Sequence, residues 1–143
     1  MRTEEFRVED LDRLKNFGGQ EYLVPLVDRG QLATAIQLGA HYSFWSGDDL
    51  VGCAGIIPVH EWRAVTWALL QQGETRRFAG LHRAVSAVLR AQSYPRIEAY
   101  VDPAFAPAMR WTAMLGFEIE TAFKPFWFPD GRGAAEWVLY RGG

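Results

Sequence analysis

The chain has 143 residues, 49% of them apolar and 22% charged, and its 15 basic and 17 acidic side chains give a formal net charge of −2. This length predicts one domain, residues 1–143, around a single core, and the balanced charge offers no basic field to a nucleic-acid backbone. Cys53 is the sole cysteine, which excludes an intrachain disulfide and a metal site built on several thiolates and fits a reducing cytoplasm.

The opening MRTEEFRVEDLDRL is too acidic for the n-region of a signal peptide, and the longest apolar run, Leu50 to Val59, reaches about half a membrane span. A soluble protein with no membrane partner is expected. No fixed-period repeat or low-complexity tract interrupts the chain.

Phe6 to Leu14 combines a short strand-like start with the helical spacing of VEDLDRLKNF, which Gly18-Gly19 breaks. Apolar positions from Gln20 to Leu38 recur at three and four and predict a second helix, with Pro25 near its first turn and Gly39 as its stop. Tyr42, Phe44 and Trp45, then Ser46-Gly47-Asp48-Asp49, then Leu50 to Val59 read as a hairpin. Pro58 and His60-Glu61 end that strand, and Ala64 to Leu70 adds another, which makes a meander.

In GETRRFAGLHRAVSAVLRAQ the period changes, with Leu81, Ala84, Val85, Val88 and Leu89 forming one apolar stripe. RIEAYVD then alternates, with Ile97, Ala99 and Val101 on one face and Glu98 and Tyr100 on the other. A helix between two strands predicts that they are parallel neighbours. Asp102-Pro103 and Ala106-Pro107 offer helix starts, and Gly116 suits the residue that ends this helix. Phe117 to Phe128 and Ala134 to Arg141 complete a hairpin across Pro129-Asp130-Gly131. The order is β-α-α-β-β-β-α-β-α-β-β, an α/β chain with a mixed sheet of six or seven strands. Phe126-Trp127-Phe128, read as strand, places consecutive rings on opposite faces, so at least one ring faces outward and suits an acceptor pocket or a protein contact.

This order, with a Gly-containing loop before the third helix and a later helix ending in Leu115-Gly116-Phe117, resembles the GNAT superfamily of acyl-CoA N-acyltransferases over essentially the whole chain. The best local match is Arg77-Phe78-Ala79-Gly80-Leu81-His82 against the family's pyrophosphate loop, Q/R-x-x-G-x-G/A. The resemblance implies acetyl-CoA as co-substrate and an amine as acceptor. Backbone N–H groups from Phe78 to His82 would meet the pyrophosphate at a helix start, Arg77 would add a charge, and Leu69-Leu70-Gln71 would offer main chain to the pantetheine arm. His82 replaces a small residue, so its imidazole must turn away, donate to a phosphate or obstruct the ligand.

Other family residues are replaced too. The thiolate-protonating Tyr, four residues before the Gly, corresponds to Thr112, and a helix-start Asn to Phe105. No Asp, Glu or His lies in Ala64 to Leu70, which leaves Glu98 and Tyr100 as the nearest catalytic candidates and His60-Glu61 next; His41 carries no motif. A second likeness, around GCAGIIPVHEWRAVTWALL, is to small acetyltransferase-like proteins of tailed phages and prophages. It implies a GNAT-fold protein that has lost catalysis and serves as a binding or structural component.

Overall fold

A computed structural model describes residues 1–14, 39–71 and 75–141. The helix expected between Gln20 and Leu38 lies outside the described residues. Among those described, seven strands form one mixed sheet in the order β1-β2-β3-β4-β5-β7-β6. They are β1 (Arg2–Glu5), β2 (Ala40–Ser46), β3 (Asp49–His60), β4 (Arg63–Leu70), β5 (Arg96–Val101), β6 (Glu118–Lys124) and β7 (Ala134–Tyr140). Two α-helices, α1 (Phe78–Arg90) and α2 (Ala106–Met114), flank β5 in sequence. The chain divides into two compact units, Met1–Ile57 with Trp67–Gln92, and Pro58–Thr66 with Ser93–Gly143.

In the first unit, β1 pairs antiparallel with β2, and β2 with β3 across a Gly47-Asp48 turn where Gly47 takes a left-handed φ of 61°. Val8–Arg13 forms a 3-10 helix instead of the expected α-helical start. Asp10 is the reason. Its buried carboxylate accepts the Arg7 N–H at 3.1 Å and the Ser43 hydroxyl at 2.7 Å, which fixes a tight turn against β2. Phe6, Leu14, Trp45, Leu50, Cys53 and Leu69 pack as one apolar cluster. Leu81, Val85 and Leu89 form the buried stripe of α1, at the positions that the helical period marked.

Gly55 makes room for a polar contact inside this unit. His41 Nδ1 accepts a hydrogen bond from Trp67 Nε1–H at 3.1 Å, and a Cβ on Gly55 would stand 2.1 Å from that nitrogen and 2.5 Å from the indole nitrogen.

The second unit holds the end of β3, the first half of β4, and β5, β6 and β7. Strand β3 runs on to His60, so Pro58 lies within it instead of ending it. Strands β4 and β5 pair in parallel as expected, through Arg63↔Arg96, Ala64↔Ile97 and Val65↔Glu98, while β5 pairs antiparallel with β7 along Arg96–Val101. Gly116, at φ 99°, ends α2 as the sequence suggested. The last hairpin differs from expectation because β6 stops at Lys124. Phe126-Trp127-Phe128 therefore lies in a turn, with Phe126 at a φ of 54° and fully outward and Phe128 buried. An L-residue at positive φ cannot continue a strand.

Gly55→Ala should cost about 1–3 kcal/mol of stability, since both clashing rings are packed. Gly133→Ala, whose Cβ would meet the Phe123 ring at 2.1 Å, should cost less because that ring is exposed and can swing away. Chemical denaturation of the two variants checks the ranking; a Gly133 variant less stable than the Gly55 variant would contradict it.

Candidate functional site

The expected cofactor residues all fall in the first unit. Leu69 is core, and the Gln71 N–H donates to Val51 O at 2.9 Å, so the end of β4 is held on β3. Gly52 allows this approach: a Cβ there would lie 2.9 Å from the Leu70 side chain and 3.1 Å from Leu69 O.

Phe78 to His82 is helix rather than loop. A 3-10 turn, Thr75–Arg77, leads directly into α1, and the N-cap Arg77 has nearly helical angles and no side-chain cap. Ala79 and Leu81 are good helix formers and no second glycine interrupts them. Leu81 and His82 consequently donate back along the helix, and Ala79 and Gly80 remain as first-turn positions where a helix start presents N–H groups. No acidic side chain occupies that turn, which leaves its positive dipole end unneutralised.

Several side chains surround this helix start. Arg77 Nη2 pairs with Asp49 Oδ2 at 3.0 Å. Gly80 backs onto Met1, since a Cβ there would sit 3.5 Å from Met1 Cε. His82, half-buried, lays its ring against Phe78 one turn earlier, with centroids 6.0 Å apart and planes 28° apart. Of the three dispositions open to it from the sequence, the ring follows the helix side toward the N-terminus, as helical side chains tilt.

Glu98 and Tyr100 lie in the second unit and come together with residues the sequence reading did not connect. The β5–β7 register sets Arg96 beside Tyr140, Glu98 beside Val138 and Tyr100 beside Glu136; the parallel ladder adds Arg63 beside Arg96. The buried Glu98 carboxylate receives Arg63 through Nε and, at 2.8 Å, Nη2, with Arg96 Nε at 2.7 Å and the Tyr100 hydroxyl at 2.6 Å. Burial alone would raise its pKa, but hydrogen bonds from Arg63, Tyr100 and Arg96 prevail and hold it at about 2. Tyr100 is pushed up, by burial first and then by Glu98.

This arrangement favours neither proton transfer. A carboxylate held at about 2 has little affinity for an amine proton, and a phenol that donates to a carboxylate gives up its proton reluctantly. Around this pair, Arg96 also grips Glu120 at 2.7 Å. Glu136 takes the Thr121 hydroxyl at 3.0 Å and Lys124 Nζ at 3.5 Å. Trp127 stacks on Tyr100 at 4.7 Å, with Lys124 Nζ 4.8 Å from its ring centre.

The remaining candidates are engaged locally. Thr112 Oγ1–H donates to Ala108 O at 2.7 Å, inside its own helix. Phe105 is the N-cap of α2 without a capping side chain, and Asp102 Oδ1 takes the Ala104 N–H at 2.9 Å nearby. His60 Nδ1 accepts the Trp62 N–H at 3.1 Å within the β3–β4 turn. Among the described residues, no group of three or more His, Cys, Asp or Glu side chains could hold a metal ion, and no helix is long and apolar enough to cross a membrane. The alternation of RIEAYVD carried a usable signal for Arg96, two residues from Glu98 on the same face; Arg63 becomes a partner only through the parallel register.

No protein-family model matches the chain, and no curated protein matches it. Solved structures do. A probable acetyltransferase from Staphylococcus epidermidis superposes with a TM-score of 0.75 at 12% identity, covering 99% of both chains. An IAA acetyltransferase from Bacillus cereus gives 0.67 at 15% identity, over 98% of this chain and 99% of that one. Spermidine/spermine N-acetyltransferase SpeG from Vibrio cholerae gives 0.66 at 13% identity, over 97% and 91%.

Glu98→Gln should lower stability at neutral pH by about 1.5–3 kcal/mol, because it removes charge-assisted bonds and leaves two guanidiniums without their shared anion. The pH dependence has a definite sign. A carboxyl lowered from 4.5 to about 2 on folding stabilises fully above pH 4.5, and that contribution disappears as pH falls through 2. Thermal melts at pH 7, 4 and 2.5 should therefore converge for the parent and the Gln variant at the acid end; a gap that stays constant would refute the pairing.

Proposed function

The fold is that of the GNAT superfamily, and from it we propose that the chain is an acyl-CoA-dependent N-acetyltransferase-like protein that binds acetyl-CoA and transfers its acetyl group to an amine. The observation that carries this reading is the β4–β5 ladder, which stops at Val65↔Glu98 while β4 itself continues to Leu70 and leads to a helix start without acidic residues. The pantetheine arm would run along β4 at Leu69, Leu70 and Gln71. The pyrophosphate would meet the first turn of α1, at Ala79 and Gly80, with Arg77 as the neighbouring cation and Phe78, Leu81 and His82 bordering it. Acetyl-CoA supplies the thioester carbonyl; a neutral amine attacks it, the C–N bond forms, the C–S bond breaks, and the coenzyme thiolate leaves and takes up a proton. A cytoplasmic setting, where acyl-CoA and reduced thiols occur, agrees with the single buried Cys53.

A second reading has its own support. Glu98 and Tyr100 are tied into an ion-pair cluster and Thr112 into its helix, which fits a protein that binds the coenzyme and has impaired catalysis, akin to the phage and prophage proteins of this fold. The two readings part on turnover and agree on binding.

Calorimetric titration with acetyl-CoA should give saturable heat. Arg77→Ala should weaken binding by roughly 10- to 100-fold, the value of a charge-assisted contact, whereas Arg83→Ala, on an exposed position of α1, should leave it within about twofold. Equal affinities for both variants and the parent would remove Arg77 from the site. Release of free coenzyme thiol over an amine panel would establish the enzyme; tight binding without release would establish the second reading.

A further inference from the structure

The first unit holds a surface cavity of about 380 Å³ beside β1, lined by seven charged side chains and Trp45. That volume falls at the lower end of the range for small-molecule sites, about 300–1,000 Å³. The sheet order puts two strands, β2 and β3, between β1 and β4, so the cavity is separate from the end of β4 where coenzyme binding is proposed.

Three of the seven charges are committed within the protein. Arg2 and Glu4 pair with each other at 2.8 Å, and the buried Asp10 carboxylate takes the Ser43 hydroxyl and the Arg7 N–H. The other four are not: among the described residues, the side chains of Arg7 and Arg13, both basic, and of Glu5 and Asp48, both acidic, have no ion-pair partner. Two unpaired cations and two unpaired anions around one cavity suit neither a simple anion nor a simple cation, because each would meet like charge. They are complementary to a ligand that carries both signs.

Trp45 points to where the negative end of such a ligand would lie. Its side chain is only 7% exposed, and Nε1 is buried without a hydrogen-bond acceptor among the described residues. An indole N–H at that depth ordinarily has one. The guanidiniums of Arg2 and Arg13 lie over the ring, 5.7 and 5.4 Å from its centre. Arg2 already holds Glu4, whereas Arg13 is exposed and its long side chain can turn from the ring to an incoming anion. That movement would also uncover Nε1. Glu5 and Asp48 would repel an anion alone, and an ammonium on the same ligand turns that repulsion into a contact.

We propose that this cavity is a binding site for a free α-amino acid, whose carboxylate bonds to Arg7, Arg13 and the Trp45 indole N–H and whose ammonium is held by Glu5 and Asp48. The amino-acid side chain leaves through the open mouth of the cavity, so the two backbone charges carry recognition and an ordinary amino acid serves as the probe. The site does not depend on the acyltransferase reading, since its lining comes from β1, the 3-10 segment after it, β2 and the β2–β3 turn.

Leucine tests the two charges separately, because 4-methylpentanoate is the same skeleton without the amine and 3-methylbutylamine the same skeleton without the carboxylate. In calorimetric titrations at low salt, where surface charges are least screened, L-leucine should bind saturably with a Kd of about 1 mM or tighter, and each half-ligand roughly tenfold more weakly. Arg13→Gln should weaken L-leucine binding about tenfold, and the double variant Glu5→Gln/Asp48→Asn by a similar factor. These three side chains are exposed, and circular dichroism checks that the variants stay folded. In heteronuclear spectra the indole N–H signal that Trp45→Phe removes should move downfield as L-leucine is added, since that donor gains an acceptor. If the Phe variant does not fold, the calorimetric comparison decides alone. No saturable binding of L-leucine up to about 50 mM overturns the inference. So does equal affinity for L-leucine and 4-methylpentanoate, which would make the cavity an anion site only, or affinity that survives both sets of substitutions.

Discussion

The junction of β4 and β5 depends on one anion. Arg63 and Arg96 are register partners in a parallel ladder of three pairs, so two guanidiniums start side by side on the same face of the sheet, an arrangement that by itself is repulsive. Glu98, two residues further along β5, bonds to both. A short parallel ladder has few main-chain bonds to resist opening, and the carboxylate converts its least favourable pair into its firmest point. The surrounding groups extend the same logic: Glu120 takes the outer side of Arg96, and Glu136 is met by Thr121 and Lys124.

That structural role has a chemical consequence. A carboxylate accepts protons readily only when its charged form is poorly stabilised, and Glu98 is stabilised from three side chains. The features that make it valuable to the sheet also lower its affinity for a proton. Tyr100 is affected in turn, because its single proton serves Glu98 at 2.6 Å while Glu136 Oε2 lies farther away, at 3.0 Å. His41 presents a parallel case in the first unit. Its Nδ1 is occupied as the acceptor of the Trp67 indole N–H.

Much of the architecture was legible in the sequence because it rests on local periodicity. The α1 stripe of Leu81, Val85 and Leu89, the Gly47 turn, the Gly116 stop and the alternation of β5 all follow from spacings within about ten residues. What failed locally did so for identifiable reasons. Val8–Arg13 tightened into a 3-10 helix because Ser43, 33 residues away, takes the Asp10 carboxylate. Phe126-Trp127-Phe128 has strand composition, but the chain turns left-handed at Phe126, and aromatic content alone does not reveal where a strand stops. The candidate site was less legible than the fold. Residues 69–71 and 77–82 were placed by resemblance, and the extension of α1 back through Phe78 was hidden by a glycine that suggested a loop. Arg96 and Tyr100 lie two residues from Glu98 on the same face of β5, but its third partner, Arg63, depends on register between segments 35 residues apart, about which spacing is silent.

The polar side chains considered for acid–base work are bonded within the fold, whereas most of the features proposed for the coenzyme, the Arg77 side chain apart, belong to the main chain. Thr112 bonds its own helix, Phe105 starts a helix that Asp102 supports, and Glu98 and Tyr100 fasten a sheet. The early end of the β4–β5 ladder and a helix start without a side-chain cap require only backbone geometry, a small residue such as Gly80 and a first turn free of acidic side chains. Main-chain features survive almost any substitution that preserves the fold; a catalytic acid or base is lost with a single change. On the function proposed above, coenzyme binding and acyl transfer would for that reason be separable, the first placing far weaker demands on the sequence than the second.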